Sequence, residues 1–304
     1  MIASPYAEQL ARIPVSEHRL DVDGTETSWW EYGPADAPVL VLVHGFRGDH
    51  HGLEPVVAQL PGFRIISPDL PGFGASDTFA SDPHDLDAYT AWLDAFISGV
   101  GIQGPYTLLG HSFGSIVTSA AVARGLAVPP ERLILVNPIG APALEGPRGV
   151  MTRLAVLYYR AAAALPERPG FALLRNGAVV RVMSVTMAKT KSKPLRRWIH
   201  DQHDTYFSAF GTRDSVLEGF TTSVSHDVSE VAADIRVPTL LVAAERDDVT
   251  PLSAQQRLAT LFPDARLEVI PEVGHLIHYE TPQAAAAMIL DFLGSDHLDS
   301  EARA

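Results

Sequence analysis

The chain has no cysteine. That single absence excludes disulfide staples, thiolate nucleophiles and zinc–thiolate centres, and it agrees with a cytoplasmic location. Basic residues are the minority, 23 Lys and Arg against 36 Asp and Glu, for a formal net charge of −13. Phosphate contacts need clustered Lys and Arg, so no nucleic-acid partner is expected. Long apolar runs are missing as well. The longest candidates, residues 154–165 and 284–293, are interrupted by Arg160 and Asp291 and are too short to span a bilayer. The opening Met1-Ile2-Ala3-Ser4-Pro5-Tyr6 has neither the basic nor the apolar region of a signal peptide. Low-complexity tracts and internal repeats are also absent.

What is present is a chain of 304 residues, 46% hydrophobic, enough for a large core with an insertion. Short β-rich runs alternate with helical patterns. Strands are expected at 19–22, 27–32, 39–43, 64–67, 106–109, 133–136, 239–243 and 266–270. Five of these are near-continuous apolar runs, as parallel strands buried on both faces require. Helices are expected at 52–60, 85–99, 113–124, 253–262 and 282–293. This alternation predicts an α/β fold with a mostly parallel, doubly wound sheet of about eight strands. The first two strands, joined at Asp23-Gly24, predict an antiparallel hairpin at one edge. The alternation stops between Gly140 and Asp234. Helical patterns at 150–165, 172–186, 195–210 and 214–224, with prolines at 138, 142, 147, 166 and 169, read there as a helical lid. The expected division is a core of residues 1–139 and 235–304 and a lid of 140–234.

The most informative segment is Gly110-His111-Ser112-Phe113-Gly114, between a predicted strand and a predicted helix. A serine at the apex of a sharp strand-to-helix turn needs small residues two positions to either side, where side chains would collide with neighbouring backbone. A serine hydroxyl is a weak nucleophile unless a base lies in reach and a carboxylate orients that base. Both are available downstream, each after an apolar strand, where open α/β sheets place function. The acid is Asp247 or Asp248. The base is His275, preceded by Gly274, which is read as the bend that swings the imidazole over the sheet. After the strand 39–43 comes His44-Gly45-Phe46, a loop able to aim the Phe46 N–H at an oxyanion, with Phe113 N–H as the second donor. Taken singly, each motif has an ordinary explanation as a turn, a cap or a solvated side chain. Four such elements after four separate strands, in the order serine, aspartate, histidine, have none.

These segments resemble the α/β-hydrolase superfamily, in its lid-bearing branch of esterases, lipases and carbon–carbon hydrolases, from about Arg19 to Leu293. His44-Gly45-Phe46 is similar to that family's oxyanion loop, Asp69-Leu70-Pro71-Gly72-Phe73-Gly74-Ala75-Ser76 to its D-x-P-G-x-G-x-S loop, and Gly274-His275 to its histidine loop. The family's acid lies four residues before a proline. Counting back from Pro251 favours Asp247. Ala244 departs from the family's usual glycine.

The resemblance implies a serine hydrolase that cleaves a carboxylic ester or related acyl bond through an acyl-enzyme, with a Ser112–His275–Asp247 triad and oxyanion donors Phe46 and Phe113. It implies no cofactor and no metal. Other chemistries on this fold remain open: carbon–carbon hydrolysis of a diketone-type substrate, or a non-hydrolytic ligand-binding, oxygenase or lyase protein. The expected partner is a small molecule, a hydrophobic acyl ester, contacted by His44, His111, Tyr158, Phe171, Phe207 and Phe210. His50-His51 and His200/His203 lack a metal-binding pattern and read as solvated or lid-surface residues. The basic run Lys189, Lys191, Lys193, Arg196, Arg197 reads as a solvated lid face.

Overall fold

The structure is a computed structural model and describes residues 2–142 and 149–301. Eight strands form one sheet: β1 (Val15–Val22), β2 (Thr25–Tyr32), β3 (Val39–Val43), β4 (Arg64–Pro68), β5 (Tyr106–His111), β6 (Arg132–Val136), β7 (Thr239–Ala244) and β8 (Ala265–Ile270), in spatial order β1-β2-β4-β3-β5-β6-β7-β8. β1 and β2 pair antiparallel through a turn at Asp23 and Gly24, both with positive φ, and β2 runs antiparallel to β4. The other pairings are parallel. The expected fold class and edge hairpin are therefore the observed ones.

Side chains alternate across a strand, so the apolar runs of the central strands serve two cores. Val41, Val43, Leu108, Leu133, Leu135 and Leu241 face one core, with Trp92 and Phe96 of α3 (Leu86–Gly99) and Ile116 and Val117 of α4 (Phe113–Arg124). Leu40, Leu42, Leu109, Ile134 and Val242 face the other, with Val57 of α2 (Glu54–Val57) and Ile289 of α12 (Pro282–Glu301). A single helical turn near the N-terminus, α1 (Ala7–Leu10), and the short α11 (Ile277–Glu280) complete the second side, while α10 (Leu252–Ala259) crosses between β7 and β8. Among the described residues, no helix is long and apolar enough to cross a membrane.

Between β6 and β7 the described residues contain no strand. They form α5 (Gly149–Ala164), α6 (Glu167–Leu174), α7 (Gly177–Met187), α8 (Lys193–Tyr206) and α9 (Arg213–Ser225). Prolines 142 and 166 are described, whereas Pro147 lies outside the described residues. The pattern over 172–186 anticipates one helix, but the chain breaks at Arg175-Asn176. The Asn176 side chain accepts hydrogen bonds from the Ala178 and Val179 N–H groups and starts α7 anew.

His200 and His203 are not on the lid surface. Both are buried, and the Ser184 hydroxyl lies between their Nδ1 atoms at 2.6 and 2.7 Å. Burial, reinforced by His200 and Arg181, pushes the His203 imidazole down to about 3. Below the ordinary imidazole range the unfolded chain takes up a proton that the folded chain refuses, so stability is lost as pH falls from about 6.5 toward 3. Between pH 6.5 and 5, this one histidine accounts for about 1.5 kcal/mol of lost stability. Urea unfolding of His203→Gln at those two pH values should show a correspondingly smaller loss than the wild type.

Candidate active site

Phe46, Ser112, Asp247 and His275 each follow the C-terminal end of a parallel strand, and Phe113 opens the helix after Ser112. At the end of β5 the chain turns at Ser112, with φ 52° and ψ −117°, straight into α4. Ser112 N–H donates to the Val136 carbonyl at 3.1 Å, which anchors the turn to β6. A Cβ on Gly110 would lie 2.5 Å from the Gly114 carbonyl oxygen, and one on Gly114 would lie 2.3 Å from that of Val43. The two glycines thus allow β5, the turn and the end of β3 to close-pack.

His275 joins the serine to an acid. Its Nε2 lies 2.8 Å from Ser112 Oγ and its Nδ1 lies 2.8 Å from Asp247 Oδ2. Asp247 is 4% exposed. It also accepts from the Val249 and Thr250 N–H groups and the Thr250 hydroxyl. Burial pushes its carboxyl up, but the charge and hydrogen bond of His275 and those N–H groups outweigh this and hold it below the usual range. An acid so held keeps Nδ1 protonated and leaves Nε2 to accept the serine proton. Asp248 faces outward and pairs with Lys189 from the segment joining α7 and α8. The structure thus separates two neighbours that position alone left equivalent.

The bend before His275 is not made by Gly274. Glu272 carries the positive φ, 62°, and its carboxylate pairs with Arg246 of the acid loop. Gly274 is required for space, since a Cβ there would meet Lys189 Cγ at 2.6 Å and the Met187 carbonyl oxygen at 3.0 Å. Asn137, which the sequence reading passed over, holds the same loop from behind. This residue is fully buried, donates from Nδ2 to the His275 carbonyl at 2.7 Å, and accepts from the Ala244 N–H at 3.1 Å. An asparagine directly after a strand and before Pro138 was its one sequence signal.

The loop after β3 packs against the serine turn, where a Cβ on Gly45 would lie 3.1 Å from Ser112 Cβ. His44 is 1% exposed and uses both ring nitrogens on main chain. Nε2 accepts from Leu70 N–H and Nδ1 donates to the Gly45 carbonyl, each at 2.8 Å. No nitrogen is left for a ligand, so His44 ties this loop to the Asp69–Ser76 loop instead of facing a substrate. Asp69 in turn binds the N–H and Nδ1 of His50, at 2.7 and 2.9 Å. His50 is therefore buried and paired, not solvated. Among the described residues, the Phe46 and Phe113 N–H groups have no acceptor. Phe46 follows Gly45, which packs on Ser112, and Phe113 is the first residue of α4.

The remaining expected contacts are apolar or neutral. His111 is buried, packs on His278 at 4.2 Å between ring centroids, and is driven to about 3 by burial and then by His275. Phe46 packs edge-on to Phe73, Phe113 and Tyr159 and tilted against Phe220. Tyr158 donates to the Leu173 carbonyl. Phe171 stacks on Phe210, and Phe207 and Phe210 flank the guanidinium of Arg47, a residue not singled out from sequence. Asp49, His50 and His51 come close enough to hold a metal ion, but Asp69 already engages His50 Nδ1, and Asp49 caps the following turn through His51 N–H.

An alpha/beta hydrolase family model matches residues 40–288. The chain belongs to the alpha/beta hydrolase family. The matched span runs from β3 into α12 and so includes every loop described above. The chain is 28% identical over 272 residues to the magnesium-chelatase 30 kDa subunit of Rhodobacter capsulatus, covering 87% of this chain and 90% of the relative. It is 24% identical over 270 residues to a bifunctional esterase/perhydrolase of Acinetobacter calcoaceticus, covering 83% and 90%. An esterase structure from Exiguobacterium antarcticum superposes with a TM-score of 0.74 at 18% identity over 91% of this chain and 99% of that one. That last likeness is one of fold.

The close packing at Gly114 is directly testable. Gly114→Ala drives a methyl into the Val43 and His44 carbonyls and is expected to cost about 3 kcal/mol or more, read by urea unfolding. Asn137→Ala strands the Ala244 N–H and should cost about 1–3 kcal/mol in the same measurement.

Proposed function

We propose that this protein is a serine hydrolase that cleaves carboxylic esters through an acyl-enzyme. The observation that carries the reading is the continuous hydrogen-bond relay from Ser112 Oγ through His275 to Asp247, with both links at 2.8 Å. His275 Nε2 removes the Ser112 proton as Oγ attacks the acyl carbonyl. Asp247, an ionised carboxylate with four hydrogen bonds, fixes the imidazole tautomer and stabilises the imidazolium. The developing oxyanion is received by the Phe46 and Phe113 N–H groups, whose lack of other acceptors leaves them ready for it. In comparable pockets one such donor contributes about 3–4 kcal/mol to the transition state. His275 then protonates the departing alcohol, and water repeats the sequence on the acyl-enzyme.

The rings around Phe46 favour an apolar acyl group. The five helices α5 to α9, inserted where β6 ends, act in this reading as a lid that covers the site and selects the substrate. An esterase/perhydrolase is among the relatives, which agrees with ester chemistry.

A fluorophosphonate probe should label the wild type at Ser112 and leave Ser112→Ala unlabelled. Hydrolysis of p-nitrophenyl esters from acetate to decanoate should fall on the order of 10⁴-fold or more in Ser112→Ala. No labelling together with no Ser112-dependent turnover would sink the proposal. Asp247→Asn should lower kcat by roughly 10⁴-fold, because it inverts the tautomer. Asp248→Asn breaks the surface ion pair with Lys189 and should stay within about threefold of wild type.

A further inference from the structure

Arg47 follows Phe46 directly, and its side chain is 1% exposed. No carboxylate pairs with it among the described residues. A buried cation without a counter-charge is costly, so something else must offset it. The guanidinium sits where two helices of the insertion end. Nη2 donates to the Leu174 carbonyl at 3.0 Å, on the last residue of α6, and Nε donates to the Phe207 carbonyl at 2.9 Å, just past the end of α8. Both are carbonyls that intrahelical bonding leaves free. Each helix end carries about half a negative charge, so two converging ends amount to roughly one anion. The rings of Phe207 and Phe210 lie 5.1 and 5.3 Å from the guanidinium carbon and add cation–π attraction. Nη1 reaches the Tyr159 hydroxyl of α5 at 3.4 Å.

The backbone of Arg47 is strained as well. Its φ is 59°, in the left-handed region that a side chain other than glycine enters at a cost. That value sets the orientation of the adjoining peptides, including the turn that closes as Gly48 N–H donates to the Gly45 carbonyl. The chain thus carries a strained residue beside Phe46, and that residue's side chain is bonded to α5, to the last residue of α6 and to Phe207 just past α8.

We propose that Arg47 is the positioning residue through which the seated helical insertion fixes the Phe46 N–H, so that the oxyanion pocket is complete only when α6 and α8 are docked. The role of that N–H rests on the hydrolytic reading above. The geometry of the loop does not. Lysine cannot replace the guanidinium, because one ammonium on a flexible stem does not span two carbonyls on separate helices in a fixed fork.

The test uses Arg47→Lys and Arg47→Met in the full chain, with thermal unfolding establishing that each variant folds. Arg47→Lys retains the charge and serves where Arg47→Met does not fold. Turnover of p-nitrophenyl butyrate should fall on the order of 100-fold in kcat, with KM within about threefold. Affinity for a trifluoromethyl ketone, which mimics the tetrahedral oxyanion, should weaken by the same factor as kcat. Amide exchange across residues 43–49 should quicken while β6 exchanges as in wild type. A role confined to stability would lower the unfolding temperature and leave kcat and the ketone affinity unchanged, and that result overturns the proposal. So does a loss that falls wholly on KM, or unchanged exchange in the loop. If the wild type shows no Ser112 labelling, the hydrolytic reading fails, and the exchange measurement alone then decides whether Arg47 holds the loop.

Discussion

The whole arrangement hangs on one constrained turn. At Ser112 the backbone leaves the middle strand of the sheet and enters a helix within a single residue, with a positive φ that serine does not favour. Locally, the Ser115 N–H and hydroxyl both donate to the Ser112 carbonyl. The turn survives because β5 is clamped between β3 and β6, because Ser112 N–H is bonded to β6, and because Gly114 and Gly45 let neighbouring backbones approach without a side chain between them. The imidazole, the carboxylate and the two N–H donors are then placed relative to a hydroxyl that is already fixed. The Phe46 N–H follows β3, the carboxylate β7 and the imidazole β8, so their spacing from the serine turn is set by the sheet.

Around that turn, polar groups are distributed unevenly. His275 is given a carboxylate. His111 and His278, packed against each other beside it, have ring nitrogens without partners, and burial keeps both uncharged at neutral pH. Their neutrality keeps positive charge away from the His275 imidazole between Ser112 and Asp247. His44 is likewise lowered by burial and spends its nitrogens on main chain. A site containing several histidines thereby has one that is coupled to an acid and to a hydroxyl.

How much of this could be read from the sequence depended on what each residue touches. β3 and β5 were legible because strands buried on both faces must be apolar throughout, and α4 because its boundaries follow from the turn. β1 extends back to Val15, beyond the expected Arg19, since an edge strand with one partner tolerates the polar Ser16, Glu17 and His18, none of them buried. The break between α6 and α7 was hidden because apolar periodicity runs through it, and the cap at Asn176 overrides that periodicity. Ser112, Asp247 and His275 announced themselves by glycine spacing and by their positions after strands. Arg47 and Asn137 did not, although both are fully buried. Their hydrogen-bond partners are mostly main-chain carbonyls and N–H groups, present at every position, so no residue of opposite charge marks the contact. Polar side chains that organise backbone are the part of a site that sequence conceals.

The insertion between β6 and β7 also shapes how the protein comes together. Leu133 pairs with Thr239, so two adjacent strands must close a loop of roughly a hundred residues, a cost that grows only slowly with length in free energy but weighs on folding rate. During synthesis, the segment through β6, with its serine turn, emerges well before the strands that deliver the acid and the imidazole. The Ser112 turn is thus the first part of the site to be made, and its hydrogen-bond partners the last. A chain stopped within the insertion would expose the side of β6 meant for β7, an unpaired edge beside a large apolar core and the point from which misassembly is expected to start.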